Sequence, residues 1–171
     1  GQKIVVLDPF GVAGNVTSRH GGGFNPLTIL HETSPTLIED AGLIADALVV
    51  ASGKDPHWDE SARQFLEGVI LHVATFSRYE GRRNLNAVFD CVMDTPDALK
   101  EEMAMNAAAQ GAVLILANNF YDKADNERSS VLSTLRRHVR FLGYSQVMQV
   151  LADHSFDLPE LKTGSVTVYL C

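Results

Sequence analysis

Cysteine is scarce in this chain. Cys91 and Cys171 are the only two among 171 residues, and without C-x-x-C spacing they exclude a disulfide framework and read as reduced cytosolic thiols. Positive charge is also in deficit, with 14 Lys and Arg against 21 Asp and Glu and a formal net charge of -7. A phosphate backbone attracts proteins that present Lys and Arg, so this balance disfavours non-specific nucleic-acid binding and leaves room only for a local basic face. The sequence shows no run of about 18 apolar residues and no basic-then-apolar leader, hence no transmembrane helix or signal peptide, and it reads as soluble. Internal repeats and low-complexity tracts are missing too.

Several chemical signatures are absent as well. The histidines form neither H-x-x-x-H nor H-E-x-x-H, which argues against a metal site. Ser61, Ser133 and His138 lie in no G-x-S-x-G elbow, which argues against a serine hydrolase. A phosphate loop needs G-x-x-x-x-G-K-[ST]. Here Gly53-Lys54 is followed by Asp55 and lacks the earlier glycine, and no acidic Walker B strand follows. The chain is therefore expected to be non-enzymatic, without a cofactor of its own.

What is present is apolar periodicity. At 46% hydrophobic and 20% charged, the chain suits one domain with a sizeable core. From Asp55 to Ser77 the residues Trp58, Ala62, Phe65, Leu66, Val69, Ile70, Val73 and Phe76 recur at helical spacing and make one broad stripe. Asp55 as cap, Pro56 at the first position, and Asp59 and Glu60 near the positive dipole end mark its start. A helix of about 20 residues spans about 30 Å, so this is the central core helix. Trp58 reads as a core anchor, with partner anchoring from the helix start as the sharper alternative.

The other segments arrange around it. The opening KIVVLDPFG is a β-branched apolar run that ends at Asp8, as a buried parallel strand does on leaving an α/β sheet. Gly11 to Gly23 contains five glycines and reads as loop without helix, with Gly21 to Gly23 a flexible connector. A first long helix is expected from Ser34 to Val50, with Ser34 as cap and Pro35 at its first position. A short helix over Leu85 to Met93 and another opened by Thr95 and Pro96 come next. Ala107 to Ala117, apolar all round, suits a buried helix or a core strand; its alanine-rich flanks and continuity with the preceding helix favour helix, with Gly111 as a break point. Asn126 to Leu142 is helical through Val131, Leu132, Leu135, Val139 and Leu142, and stops at Gly143. A short helix near Val147 to Ala152 precedes a second β-branched run, SVTVYLC. A strand at each end bracketing about six helices describes a mainly α insertion that leaves a sheet and returns to it.

Five ordered pieces carry a family resemblance: VVLDPFG, FNPL at Phe24 to Leu27, HWDESARQFLEGVILHV at His57 to Val73, SSVLSTLRRHVRFL at Ser129 to Leu142, and FDLPELKTGSVTVYL at Phe156 to Leu170. With them the sequence resembles the type IV secretion coupling proteins, the TraG/TraD-like hexameric ATPases, over nearly its whole length. The resemblance implies that residues 1–171 are a single all-α cargo-docking domain, inserted in a RecA-like motor, with 1–10 and 164–171 as stubs of that motor's α/β sheet. It further implies that ATP and Mg belong to the parent, which would be hexameric and held in the bacterial inner membrane by an N-terminal segment. This part would then be monomeric and face the cytoplasm. Its partners would be secreted effector proteins or a relaxase, recognised by their secretion signals, and the motor domain of the same chain. Family members often carry Lys shortly after the Asp of the first strand, where this chain has Phe10, so no phosphate contact transfers to Asp8 or Phe10.

Two charged faces are candidate contact surfaces. Arg136, Arg137 and Arg140 lie opposite the apolar stripe of their helix, and suit solvation, the motor domain, an acidic partner or DNA. A DNA-contacting module is thus the alternative to cargo recognition. The acidic set Asp94, Asp97, Glu101 and Glu102 suits solvation or a basic secretion signal, since opposite charge steers association. Asp8, at a strand end where α/β proteins place ligands, reads as a turn residue here.

Overall fold

The computed structural model describes residues 1–50, 56–95 and 97–171. Among these, two strands, β1 (Lys3–Leu7) and β2 (Val166–Leu170), enclose nine α-helices. The helices are α1 (Thr17–His20), α2 (Leu37–Leu48), α3 (Pro56–Thr75), α4 (Leu85–Asp94), α5 (Asp97–Met105), α6 (Ala112–Tyr121), α7 (Asp125–Val139), α8 (Ser145–Ala152) and α9 (Leu158–Thr163).

Helix α3 is the axis of the body, packed against α2, α4, α6 and α7. Its expected cap, Asp55, lies outside the described residues. The apolar stripe is only part of its burial: from Gly68 to Thr75 every residue is buried, because neighbours close around its C-terminal half. Gly68 permits one of these approaches, since a Cβ there would stand 2.9 Å from Leu116 Cβ on α6. Near the other end Phe65 stacks on Phe120 of α6, with ring centroids 3.7 Å apart. From α7, Val131, Leu135 and Val139 enter the same core and are wholly enclosed. Trp58 is half-buried against this core, with its ring 5.1 Å from that of His57.

The two strands are neighbours, parallel, and paired from Lys3↔Val166 to Leu7↔Leu170. Side chains alternate across a strand, so Val5, Leu7, Val166 and Val168 share one face, where they pack with Phe24, Val150 and Phe156. On the other face Ile4 and Tyr169 remain exposed.

Several local expectations are corrected. Gly11 to Gly23 does contain a helix, α1, preceded by a 3-10 turn over Gly14–Val16. Asp8 organises it: its carboxylate accepts from the amides of Val12 at 2.8 Å and Ala13 at 2.9 Å and from Thr17 Oγ1 at 2.6 Å. Helix α2 starts at Leu37 rather than near Pro35, with Ser34 Oγ accepting from the Thr36 amide just ahead of it. Ala107 to Ala117 does not continue α5. Ala109, Gln110 and Gly111 all have positive φ, a left-handed turn that breaks the chain before α6. The Phe156 to Leu161 stretch holds a helix, α9, started by a capping box in which Asp157 and Glu160 exchange hydrogen bonds with the backbone.

The glycine triplet is no loose connector either. Gly21 bridges to Val6, and the Gly22 amide donates to the Val6 carbonyl at 3.1 Å, so the segment runs beside β1. Gly23 donates to Ser155 Oγ at 3.0 Å, and its carbonyl accepts from the Ser155 amide at 3.0 Å. These glycines let backbone meet backbone.

Candidate functional site

The end of α4, α5, the end of α6 and the middle of α7 surround a groove of about 480 Å³. Its wall begins at Thr95, whose φ of 38° closes α4 in the left-handed conformation. The last four carbonyls of a helix lack intrahelical partners. Arg136 reaches across from α7 to donate to two of them, with Nε to the Val92 carbonyl at 3.1 Å and Nη2 to the Met93 carbonyl at 2.8 Å. The same Nη2 lies 3.3 Å from Thr95 Oγ1.

Asp97 and Glu101 sit one turn apart on α5 and line the groove with Asp94, while Leu99 and Met103 on the same helix point into the core. The floor is Phe120, Tyr121 and Leu132. Lys100 Nζ lies 5.6 Å from the centre of the Tyr121 ring, within cation–π range. Arg128 donates to the carbonyls of Tyr121 at 3.2 Å and Lys123 at 3.3 Å and to Asp125 Oδ1 at 2.7 Å. The Tyr121 hydroxyl is closed off from solvent and meets no donor or acceptor among the described residues. Burial pushes its pKa up to about 12.

The arginine and acidic residues expected on separate faces are thus partly brought together. Arg136, Asp94, Asp97 and Glu101 share the groove, and Arg136 is spent on α4 rather than projecting freely. Arg137 leaves it, lying 3.6 Å from the buried carboxylate of Asp59, which also holds His138 Nε2 at 2.9 Å. Arg140 is exposed and forms no ion pair or hydrogen bond among the described residues. Glu102 turns inward instead of joining Asp97 and Glu101: it pairs with Arg78, and its other oxygen lies 3.7 Å from His72 Nε2. Sequence reading missed Lys100, Tyr121 and Arg128. Tyr121 and Arg128, from two different helices, join the groove only through tertiary packing.

His72 is fully enclosed on α3. Its Nδ1 accepts from Asn106 Nδ2 at 3.2 Å, and the same amide donates to Thr75 Oγ1 at 2.9 Å. Burial pushes the His72 pKa down to about 4, against the opposing pull of Glu102. The ring is neutral near pH 7 and serves as packed core. His57 lies 3.8 Å from Glu127, so His57, His72 and His138 each face a different acidic residue. Neither Ser61 nor Ser133 bonds a histidine among the described residues.

A second cleft, of about 440 Å³, opens at the carboxyl end of β1 between Asp8, the glycine triplet and the α8 residues Gln146 and Gln149. Hydrogen bonds, that from Thr17 foremost, hold the Asp8 carboxyl below its ordinary pKa, and those donors are the backbone and side chain of the loop it shapes.

The family described as Type IV secretory system Conjugative DNA transfer matches residues 1–171, and the chain belongs to it. Two Escherichia coli relatives, each called conjugal transfer protein TraG, are similar. One is 24% identical over 181 residues, covering 99% of this chain and 28% of the relative. The other is 24% identical over 170 residues, covering 94% and 26%. The chain therefore spans about a quarter of the length of the curated relatives it matches. No solved structure matches it.

Proposed function

We propose that residues 1–171 are the substrate-docking part of a type IV secretion coupling protein, receiving secreted proteins or a relaxase by their secretion signals. The observation that carries this reading is the pairing of β1 with β2. The chain enters and leaves the helical body through two adjacent parallel strands, so the body is an outgrowth carried by a sheet. Parallel sheets need cover on both faces, and Ile4 and Tyr169 are exposed on one of them. The remainder of the parent supplies that cover and the further strands, in a RecA-like motor. ATP and Mg act there, the parent is a membrane-anchored hexamer, and this part faces the cytoplasm as a non-enzymatic monomer.

A second reading, contact with transferred DNA, draws on Arg137 and Arg140 at the surface of α7. It is weakened by Arg136, which faces the end of α4, and by the Asp59 carboxylate beside Arg137. An NMR titration of the labelled chain separates the two. Shifts on one helical surface with the C-terminal tail of a relaxase or effector encoded beside it support docking. Shifts at Arg137 and Arg140 with a DNA duplex, and none with any tail, reject docking in favour of DNA contact.

A further inference from the structure

Helix α5 is lightly held and lies between strained turns. Of its residues only Leu99 and Met103 are buried, and it packs chiefly against α6. Among the described residues, the three other than glycine that have positive φ all flank it: Thr95 at 38° before it, and Ala109 at 52° and Gln110 at 56° after it. In that left-handed region Cβ crowds the backbone carbonyl, most of all for a β-branched residue such as Thr95. Strain of this kind persists only where surrounding contacts hold it.

The contacts that hold it are few. Glu102 pairs with Arg78. Asn106, buried just past the end of α5, donates from Nδ2 to His72 Nδ1 at 3.2 Å and to Thr75 Oγ1 at 2.9 Å, while its Oδ1 accepts from the Ala108 amide at 3.0 Å. One side chain thus ties the left-handed turn to the end of α3. With Nδ1 accepting, the His72 ring carries its proton on Nε2, which is closed off from solvent and lies 3.7 Å from Glu102, beyond hydrogen-bond reach. A buried donor left without an acceptor is costly, and water satisfies it once it is uncovered. At the other end Thr95 stays fastened to α4, its Oγ1 donating to the Val92 carbonyl at 2.9 Å and lying 3.3 Å from Arg136 Nη2.

We infer that α5 is a hinged flap, which turns about Thr95 and opens as one unit when Asn106 leaves the end of α3. Opening releases the left-handed turn at Ala109 and Gln110, gives His72 Nε2 to water and bares Leu99 and Met103. Closing reburies those two side chains and restores the Asn106 bonds. The holding contacts and the stored strain oppose each other within one short helix, so the open state lies much nearer the native state than the unfolded chain does. Asp97, Lys100 and Glu101 line the groove between α4 and α7, so opening takes down one of its walls.

Native-state hydrogen exchange of the 171-residue chain tests the flap. The amides of Glu101 to Met105 on α5 are expected to exchange together, with one shared urea dependence. After correction for intrinsic rates they should exchange at least about a hundredfold faster than those of Val69 to Val73 on α3. The N106A variant lacks the latch and should speed the α5 amides about tenfold. The Q110G variant adopts the left-handed turn without strain and should slow them about threefold, whether or not N106A folds. Amides of α5 that exchange no faster than those of α3, or that differ in urea dependence as a fraying end does, overturn the flap. Unchanged α5 exchange in N106A overturns the latch, and α5 exchange in Q110G as fast as in the parent chain overturns the strained turn as its hinge.

Discussion

Replacing Gly23 by alanine distinguishes a packed glycine from a flexible one by the sign of its effect. If the triplet were a loose connector, alanine would reduce the freedom of the unfolded chain and stabilise the protein by about 0.4–1 kcal/mol. In the structure an added Cβ would stand 2.6 Å from the Asp153 carbonyl oxygen and 2.7 Å from that of Val150. Both are backbone atoms at the end of α8, so neither can rotate aside. Relief requires the segment and α8 to separate, which strains the Phe24 amide bond to the Val150 carbonyl at 2.9 Å and both Gly23 bonds to Ser155. Overpacking of this kind costs about 1–3 kcal/mol, and the weakened hydrogen bonds place Gly23→Ala near the upper end. Urea unfolding of the chain should therefore lose about 2–3 kcal/mol, or roughly 4–12 °C in Tm for a protein of this size. Gly42→Ala is the control. That glycine lies within α2, where a Cβ would meet only the Glu67 carboxylate at 3.7 Å or more. Alanine there should stabilise by up to about 1 kcal/mol through helix propensity. A Gly23→Ala protein as stable as the parent chain, or more so, would refute the close packing of the triplet.

Three further outcomes are expected. Because the folded His72 pKa of about 4 lies below the ordinary 6.5, the unfolded chain takes up the proton first as pH falls. Stability should drop between about pH 6.5 and 4, by an amount on the order of 3 kcal/mol. The H72Q variant, which keeps an acceptor for Asn106, should lack that part of the slope in pH-dependent urea unfolding; an identical slope would remove His72 as its source. Arg136→Ala should cost about 1–2 kcal/mol by leaving the Met93 carbonyl without its donor, whereas Arg140→Ala should change stability by less than about 0.5 kcal/mol. Equal effects of the two would contradict the different roles assigned to them. Ile4→Asp, on the exposed sheet face, should leave the thermal stability of this chain nearly unchanged and lower that of the full-length parent; a parent unaffected by it would mean that nothing covers that face.

The sequence by itself determined the elements whose signals are local. The apolar period set α3 and α7, short helices were legible near α4 and α8, and the β-branched runs set both strands and their place at the chain ends. These features depend on residues a few positions apart, so a linear reading reaches them. The resemblance to coupling proteins rested likewise on ordered local pieces, and the family match agrees with it. Tertiary structure decided the rest, because the deciding partner lay far along the chain. Gly21 to Gly23 look flexible until β1 and Ser155 are set against them. Arg136 looks like a free surface cation until α7 is laid across the end of α4, 43 to 44 positions earlier in sequence. Glu102 belongs with Glu101 in sequence, yet one step around a helix turns its side chain about 100°, toward Arg78 and His72 rather than the groove. The groove itself joins the ends and faces of four helices, and only their packing shows that its arginines are occupied while three of its carboxylates are left open.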